Sequence, residues 1–124
     1  MTITAYFPVI LVHDLEASLK KYEAMGFERL HTTENFAMKS YVLEINGNRI
    51  EIFHSDLDVF KLDEGYYAMR VNVREFDEGL SYYENEGYKM IMGPFENDFA
   101  KVGVLEDDKK RHIFLYYHKR KSEN

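Results

Sequence analysis

The chain has no cysteine and no tryptophan, only two prolines among 124 residues, and fewer basic than acidic side chains. Without cysteine there is no disulfide framework, no thiolate zinc site and no thiol nucleophile, which fits a reducing compartment. Sixteen Lys and Arg stand against 22 Asp and Glu, a formal net charge of −6. Clustered basic residues, which nucleic-acid binding needs, are lacking. The balance favours neutral or cationic partners. Apolar runs such as residues 9–12 are far too short to span a bilayer. The first residues lack the basic start and small-residue cleavage site of a signal peptide. The expectation is a cytoplasmic protein with neither a nucleic-acid nor a membrane partner.

What is present is core-forming material. Apolar residues make up 45% of the chain and aromatics 15%, enough to exclude a disordered chain. The length suits one domain. Residues 6–12 read as a buried β-branched strand. Asp14 then offers an N-cap carboxylate, and Glu16 suits the first turn of a helix. Leu15, Leu19, Tyr22 and Met25 form one apolar stripe, and Gly26 supplies the stop. Strand-like segments follow at 27–33, 39–45 and 49–54, the last two joined by the hairpin signal Asn46-Gly47-Asn48.

The same order returns in the second half: strand 68–73, helix 76–86 with Gly87 as its stop, and strands 88–92, 100–105 and 111–118. A shift of 61 residues aligns the halves around their helices. Val12, Leu19, Tyr22, Glu23 and Gly26 meet the identical Val73, Leu80, Tyr83, Glu84 and Gly87, and Asp14 meets Glu75. The fold class expected is α+β: two tandem βαβββ modules, residues 4–55 and 66–118, within a single domain 1–124. The polar, acidic segment 56–65 is the expected linker.

This repeat resembles the vicinal oxygen chelate superfamily, which includes glyoxalase I, extradiol dioxygenases, fosfomycin-resistance enzymes and bleomycin-resistance proteins. The resemblance rests on residues 9–18 (VILVHDLEAS), on Tyr22, on Gly26-Phe27 and on Arg49-Ile50-Glu51-Ile52-Phe53, with echoes of both segments in the second half. It implies that each module's mixed sheet curls and that the two together form a U-shaped cup. It also implies a divalent metal held by the first and last strands of each module. Carried over by position, the ligand sites fall on Phe7, Glu51, Ala68 and either Phe114 or His112. Phe and Ala offer no lone pair, whereas a divalent catalytic ion usually has three protein ligands. Neither a metal nor another cofactor is therefore expected.

Strand alternation assigns further residues to the cup. Phe7, Val9 and Leu11 share one face of the first strand, and Arg70 and Asn72 share a face with Ala68 on the fifth. Phe114, Tyr116 and Tyr41 complete an aromatic lining suited to a planar or cationic ligand. Glu51 reads as an acidic anchor for a ligand, or as the partner of cup-facing Arg70 or Arg49. His112 is the one histidine expected in the cup. The resemblance is closest to the metal-free bleomycin-resistance-like proteins. It implies a homodimer that sequesters or senses an aromatic or cationic small molecule. The alternatives are a metal-dependent lyase, isomerase or dioxygenase using Glu51 and His112, and an interaction protein whose aromatic face is covered by a partner.

Overall fold

The computed structural model describes residues 1–36, 38–55 and 66–119. The expected linker 56–65 lies outside the described residues. Ten elements follow in chain order. The first five are β1 (Ile3–Leu11), α1 (Leu15–Ala24), β2 (Glu28–Asn35), β3 (Met38–Ile45) and β4 (Asn48–Ser55). The second five are β5 (Tyr67–Val73), α2 (Phe76–Asn85), β6 (Lys89–Glu96), β7 (Ala100–Glu106) and β8 (His112–His118). The βαβββ order therefore occurs twice, as the 61-residue repeat predicts. The chain clusters into two compact units, Phe7–Tyr67, and Ala68–Asn124 together with Met1–Tyr6.

In the first unit the strand order is β2-β3-β4-β1, with β1 and β4 parallel and the other pairs antiparallel. A parallel neighbour needs a crossover connection, and α1 is part of it. The helix starts where the sequence predicts: Asp14 is the N-cap and its Oδ1 accepts from the Ala17 amide at 3.0 Å. At the other end Gly26 has φ +106°, and Gly87, its counterpart behind α2, has φ +98°. Glycine takes this left-handed backbone without steric cost, so both helices stop at equivalent places. Leu15 and Leu19 bury their side chains with Val12, Tyr41, Leu43 and Ile52 in one core. Each such side chain contributes about 1.5–3 kcal/mol of hydrophobic stabilisation. Asn46 and Gly47 take φ values of +50° and +82° between β3 and β4, the turn that residue pair predicts.

The second unit repeats the plan in the order β5-β8-β7-β6, with β5 and β8 parallel. Val71, Val73, Phe76, Tyr83, Leu105, Ile113 and Leu115 form its helix-side core. Two local details depart, one from the first unit and one from the expected bounds. Glu75 stands where Asp14 does, but it makes no side-chain cap bond to α2. β6 extends to Glu96, beyond the expected residue 92, with register shifts on either side of Met92. No described helix is long and apolar enough to cross a membrane.

Candidate functional site

Each sheet carries its helix on one face, so the opposite face is where alternation can place polar groups. In the first unit that face holds Phe7, Val9 and Leu11 on β1, Glu51 and Phe53 on β4, and Ser40 and Val42 on β3. Register sets Glu51 between Val9 and Val42, and Phe53 between Leu11 and Ser40. All seven are buried, and Glu51 is only 6% exposed. A carboxylate taken from water into apolar surroundings is costly unless it is hydrogen-bonded. Here the Ser40 hydroxyl donates to Glu51 Oε2 at 2.7 Å.

The corresponding face of the second unit is built around Arg70, which is 4% exposed. Its Nε donates to Asn72 Oδ1 at 2.8 Å, two residues along β5. Its guanidinium carbon lies 3.9 Å from the centroid of the Tyr116 ring. Its Nη2 is 3.1 Å from His118 Nε2. A guanidinium only donates, so this contact requires His118 to accept through Nε2 and to carry its ring proton on Nδ1. The His118 and Tyr116 rings are tilted against each other, with centroids 4.7 Å apart. Asn72 and Tyr116 are thus two sides of a clamp that holds the Arg70 fork. Phe114 is the register neighbour of Arg70, and Ala68 and Val104 are also buried in this unit.

The structure corrects one expectation and finds two residues paired with a glutamate across their strands. Tyr41 is not on the same face as Phe7, Val9 and Leu11: it belongs to the helix-side core with Leu43 and Ile52, and its hydroxyl donates to Glu16 Oε1 on α1. The physical reason is parity. Tyr41 and Leu43 form the core stripe of β3, so the polar Ser40 and Glu44 belong to the other face with Val42. Arg49 is exposed at the start of β4, where its Nε meets Glu44 Oε2 at 3.3 Å across the strand pair. His112 holds the equivalent place on β8, with Nε2 2.9 Å from Glu106 Oε2 across the β7–β8 pair. That hydrogen bond, followed by one from Lys110, holds the Glu106 carboxyl below the usual carboxylate range.

These registers also decide which residue of β8 corresponds to Glu51. Val9 pairs with Glu51, and Arg70, 61 residues after Val9, pairs with Phe114. Glu44 and Arg49 then correspond to Glu106 and His112, which are paired in the same way. The position equivalent to Glu51 is therefore Phe114. The four positions that the resemblance assigns to metal ligands thus fall on Phe7, Glu51, Ala68 and Phe114. Three of these side chains have no lone pair to donate, and the carboxylate of the fourth is hydrogen-bonded by Ser40. Among the described residues no group of three or more His, Asp or Glu side chains could hold a metal ion. The donor set does not fit a divalent ion of the family type.

Two polar members of these faces, Ser40 and His118, were not among the residues expected from the sequence. His118 continues the alternation of His112, Phe114 and Tyr116, which was the available signal, but it ends its strand. Ser40 was hidden by the parity assigned to Tyr41.

No family model and no curated protein matches this sequence. Solved structures do. A hypothetical protein from Bacillus halodurans is similar over 100% of both chains, with a TM-score of 0.74 and 20% identity. Methylmalonyl-CoA epimerase from Mycobacterium tuberculosis is similar over 98% of this chain and 92% of its own, with a TM-score of 0.75 and 17% identity. A glyoxalase/bleomycin resistance protein/dioxygenase superfamily member from Vibrio splendidus is similar over 94% of this chain and 99% of its own, with a TM-score of 0.60 and 12% identity. At these identities the likeness speaks to architecture alone. With two βαβββ modules and these neighbours, the chain has the vicinal oxygen chelate fold.

Proposed function

We propose that this chain binds an organic small molecule without a metal, using the polar groups set into the helix-free faces of its modules. The observation that carries the reading is Glu51, a buried carboxylate flanked by Val9 and Val42 and bonded by Ser40. It occupies a ligand position of the metal-dependent enzymes of this fold, while Phe7 replaces the first-strand ligand. A carboxylate there suits a basic group, and the neighbouring Phe7 and Phe53 suit an aromatic body. Tyr116 is less available for stacking, since Arg70 already covers one face of its ring. Among the described residues every buried side-chain nitrogen or oxygen has a partner. A bound polar group therefore exchanges an existing hydrogen bond and does not meet a bare one. The reading includes a cytoplasmic location and a homodimer, the second of which solution mass tests directly.

The experiment is a thermal-stability screen of untagged protein purified without chelator. Nickel, cobalt, manganese and zinc form one arm, and aromatic amines with their neutral and acidic analogues form the other. A ligand that prefers the folded state raises the melting temperature by mass action, by about 2.7 kcal/mol of stability at one hundred times its Kd. The expected result is a shift with amine-bearing aromatics that is lost in Glu51→Gln, and no metal bound in stoichiometric amount. Stoichiometric metal accompanied by a rise in melting temperature overturns the reading.

A further inference from the structure

We propose that the cavity lined by Thr4, Val73, Arg74, Tyr117 and His118 is a binding site for an oxyanion group, a carboxylate or a phosphate, of a small molecule. It shares only His118 with the helix-free faces of the preceding section, and it lies apart from Glu51, Phe7 and Phe53. The cavity is open to solvent on one side and has a volume of about 370 Å³, within the range of small-molecule sites. It lies wholly within the second unit, because Thr4 belongs to the Met1–Tyr6 segment of that unit. The Arg74 amide donates to the Thr2 carbonyl at 3.0 Å, which anchors the backbone from which the Arg74 side chain leaves.

The arginines distinguish this place from the rest of the surface. Arg29 lies over the Tyr41 ring, Arg49 meets Glu44, Arg70 is clamped by Asn72 and Tyr116, and Arg111 is held by Asp107. Arg74 alone of the described arginines makes no side-chain hydrogen bond, ion pair or ring contact among the described residues. Its guanidinium presents a planar fork of donors that matches the two oxygens of a carboxylate or phosphate. The Thr4 hydroxyl can donate beside it, and Val73 and Tyr117 supply apolar and aromatic walls. Among the described residues no carboxylate lines the cavity. A second cavity, which shares Tyr117, is net acidic, with Glu75, Asp77, Glu78 and Glu96 in its lining against Lys101 and Lys119. The two cavities thus differ in sign, and the one holding Arg74 is suited to an anion.

The test is an amide chemical-shift titration of the full chain with inorganic phosphate and, separately, with acetate, at constant ionic strength. The expected result is saturable shifts at Thr4, Arg74 and His118 with one or both anions. Saturation by phosphate alone assigns a phosphate group, by acetate alone a carboxylate, and by both the shared oxyanion chemistry. Arg74→Gln is expected to weaken binding about tenfold, the loss of one charge-assisted hydrogen-bonding group. Arg49→Gln, which removes a guanidinium at the start of β4, should leave it unchanged. An unaltered melting temperature shows that Arg74→Gln still folds. The absence of saturable shifts with either anion, or an affinity unchanged in Arg74→Gln, overturns the proposal.

Discussion

The guanidinium carbon of Arg70 sits 3.9 Å from the centroid of the Tyr116 ring, while Arg70 Nε donates to Asn72. Both partners come from neighbouring positions of one parallel strand pair, since Asn72 and Tyr116 face each other in the β5–β8 register. A buried arginine is thus held by two groups that themselves sit side by side. Asn72→Ala removes the acceptor that the buried Nε–H of Arg70 uses along its strand. The expected destabilisation is about 1–3 kcal/mol, read from the urea midpoint. Tyr116→Leu should cost a comparable amount, because it removes both the ring under the guanidinium and its packing.

Ser40 and Glu51 should couple. Ser40→Ala strips a hydroxyl donor from a buried carboxylate and is expected to cost about 1–3 kcal/mol. Glu51→Gln keeps a side-chain oxygen that can accept from Ser40 and removes the charge, so its cost should be smaller. In a double-mutant cycle the two substitutions should fail to add by at least about 0.5 kcal/mol. Strict additivity would show that Ser40 bonds the amide oxygen of Glu51→Gln as well as it bonds the carboxylate.

Tyr41 gives a way to separate stability from binding. Its hydroxyl ties β3 to α1 through Glu16, on the helix side of the sheet. Tyr41→Phe should therefore lower stability by about 0.5–1.5 kcal/mol. The affinity of any aromatic ligand whose binding depends on Glu51 should stay unchanged. A selective loss of that affinity would place Tyr41 at the ligand after all.

Acid should loosen the β7–β8 connection first. Burial alone would push the Asp107 carboxyl up. It is held below its ordinary value instead by the Arg111 amide at 2.8 Å, the Arg111 guanidinium at 2.7 Å and the Lys109 amide at 3.0 Å. Glu106 is lowered as well, by His112 and Lys110. A carboxyl with a depressed folded-state pKa stabilises the fold above its unfolded value, about 4 for these groups, and the contribution disappears as pH falls through the folded-state value. Stability should thus decline with acidification below about pH 4, because there the unfolded chain binds more protons. Asp107→Asn should be less stable at neutral pH and show a shallower acid limb in a pH series of urea titrations.

Much of the architecture was legible locally. The Asp14 cap, the stripe of Leu15, Leu19 and Tyr22, and the stop at Gly26 each act within a few residues, and the second half repeats them. The alternation that sets Glu51 apart from Ile50 and Ile52, and Arg70 and Asn72 apart from Met69, Val71 and Val73, was legible too. β3 was not so clear. Ser40, Tyr41, Val42 and Leu43 are all buried, so composition alone could not decide which pair faces the helix. Tyr41 was assigned to the wrong face, and with it the hydroxyl that binds Glu51 was missed. The β7–β8 connection posed the same kind of problem. A repeat of 61 residues sets His112 opposite the place of Glu51, but residues 107–111 make a longer turn than the one between β3 and β4. Glu51 therefore corresponds to Phe114, and His112 to Arg49.

By itself, then, the sequence determined two βαβββ modules, their helix boundaries and most of their face assignments, since caps, stripes and turns are short-range physics. Only the tertiary structure decided which side chains meet: Ser40 with Glu51, Arg70 with Tyr116 and His118, and His112 with Glu106. Those meetings depend on strand register and turn length. A register can slip without altering the local pattern of either strand, yet it determines which two residues stand side by side.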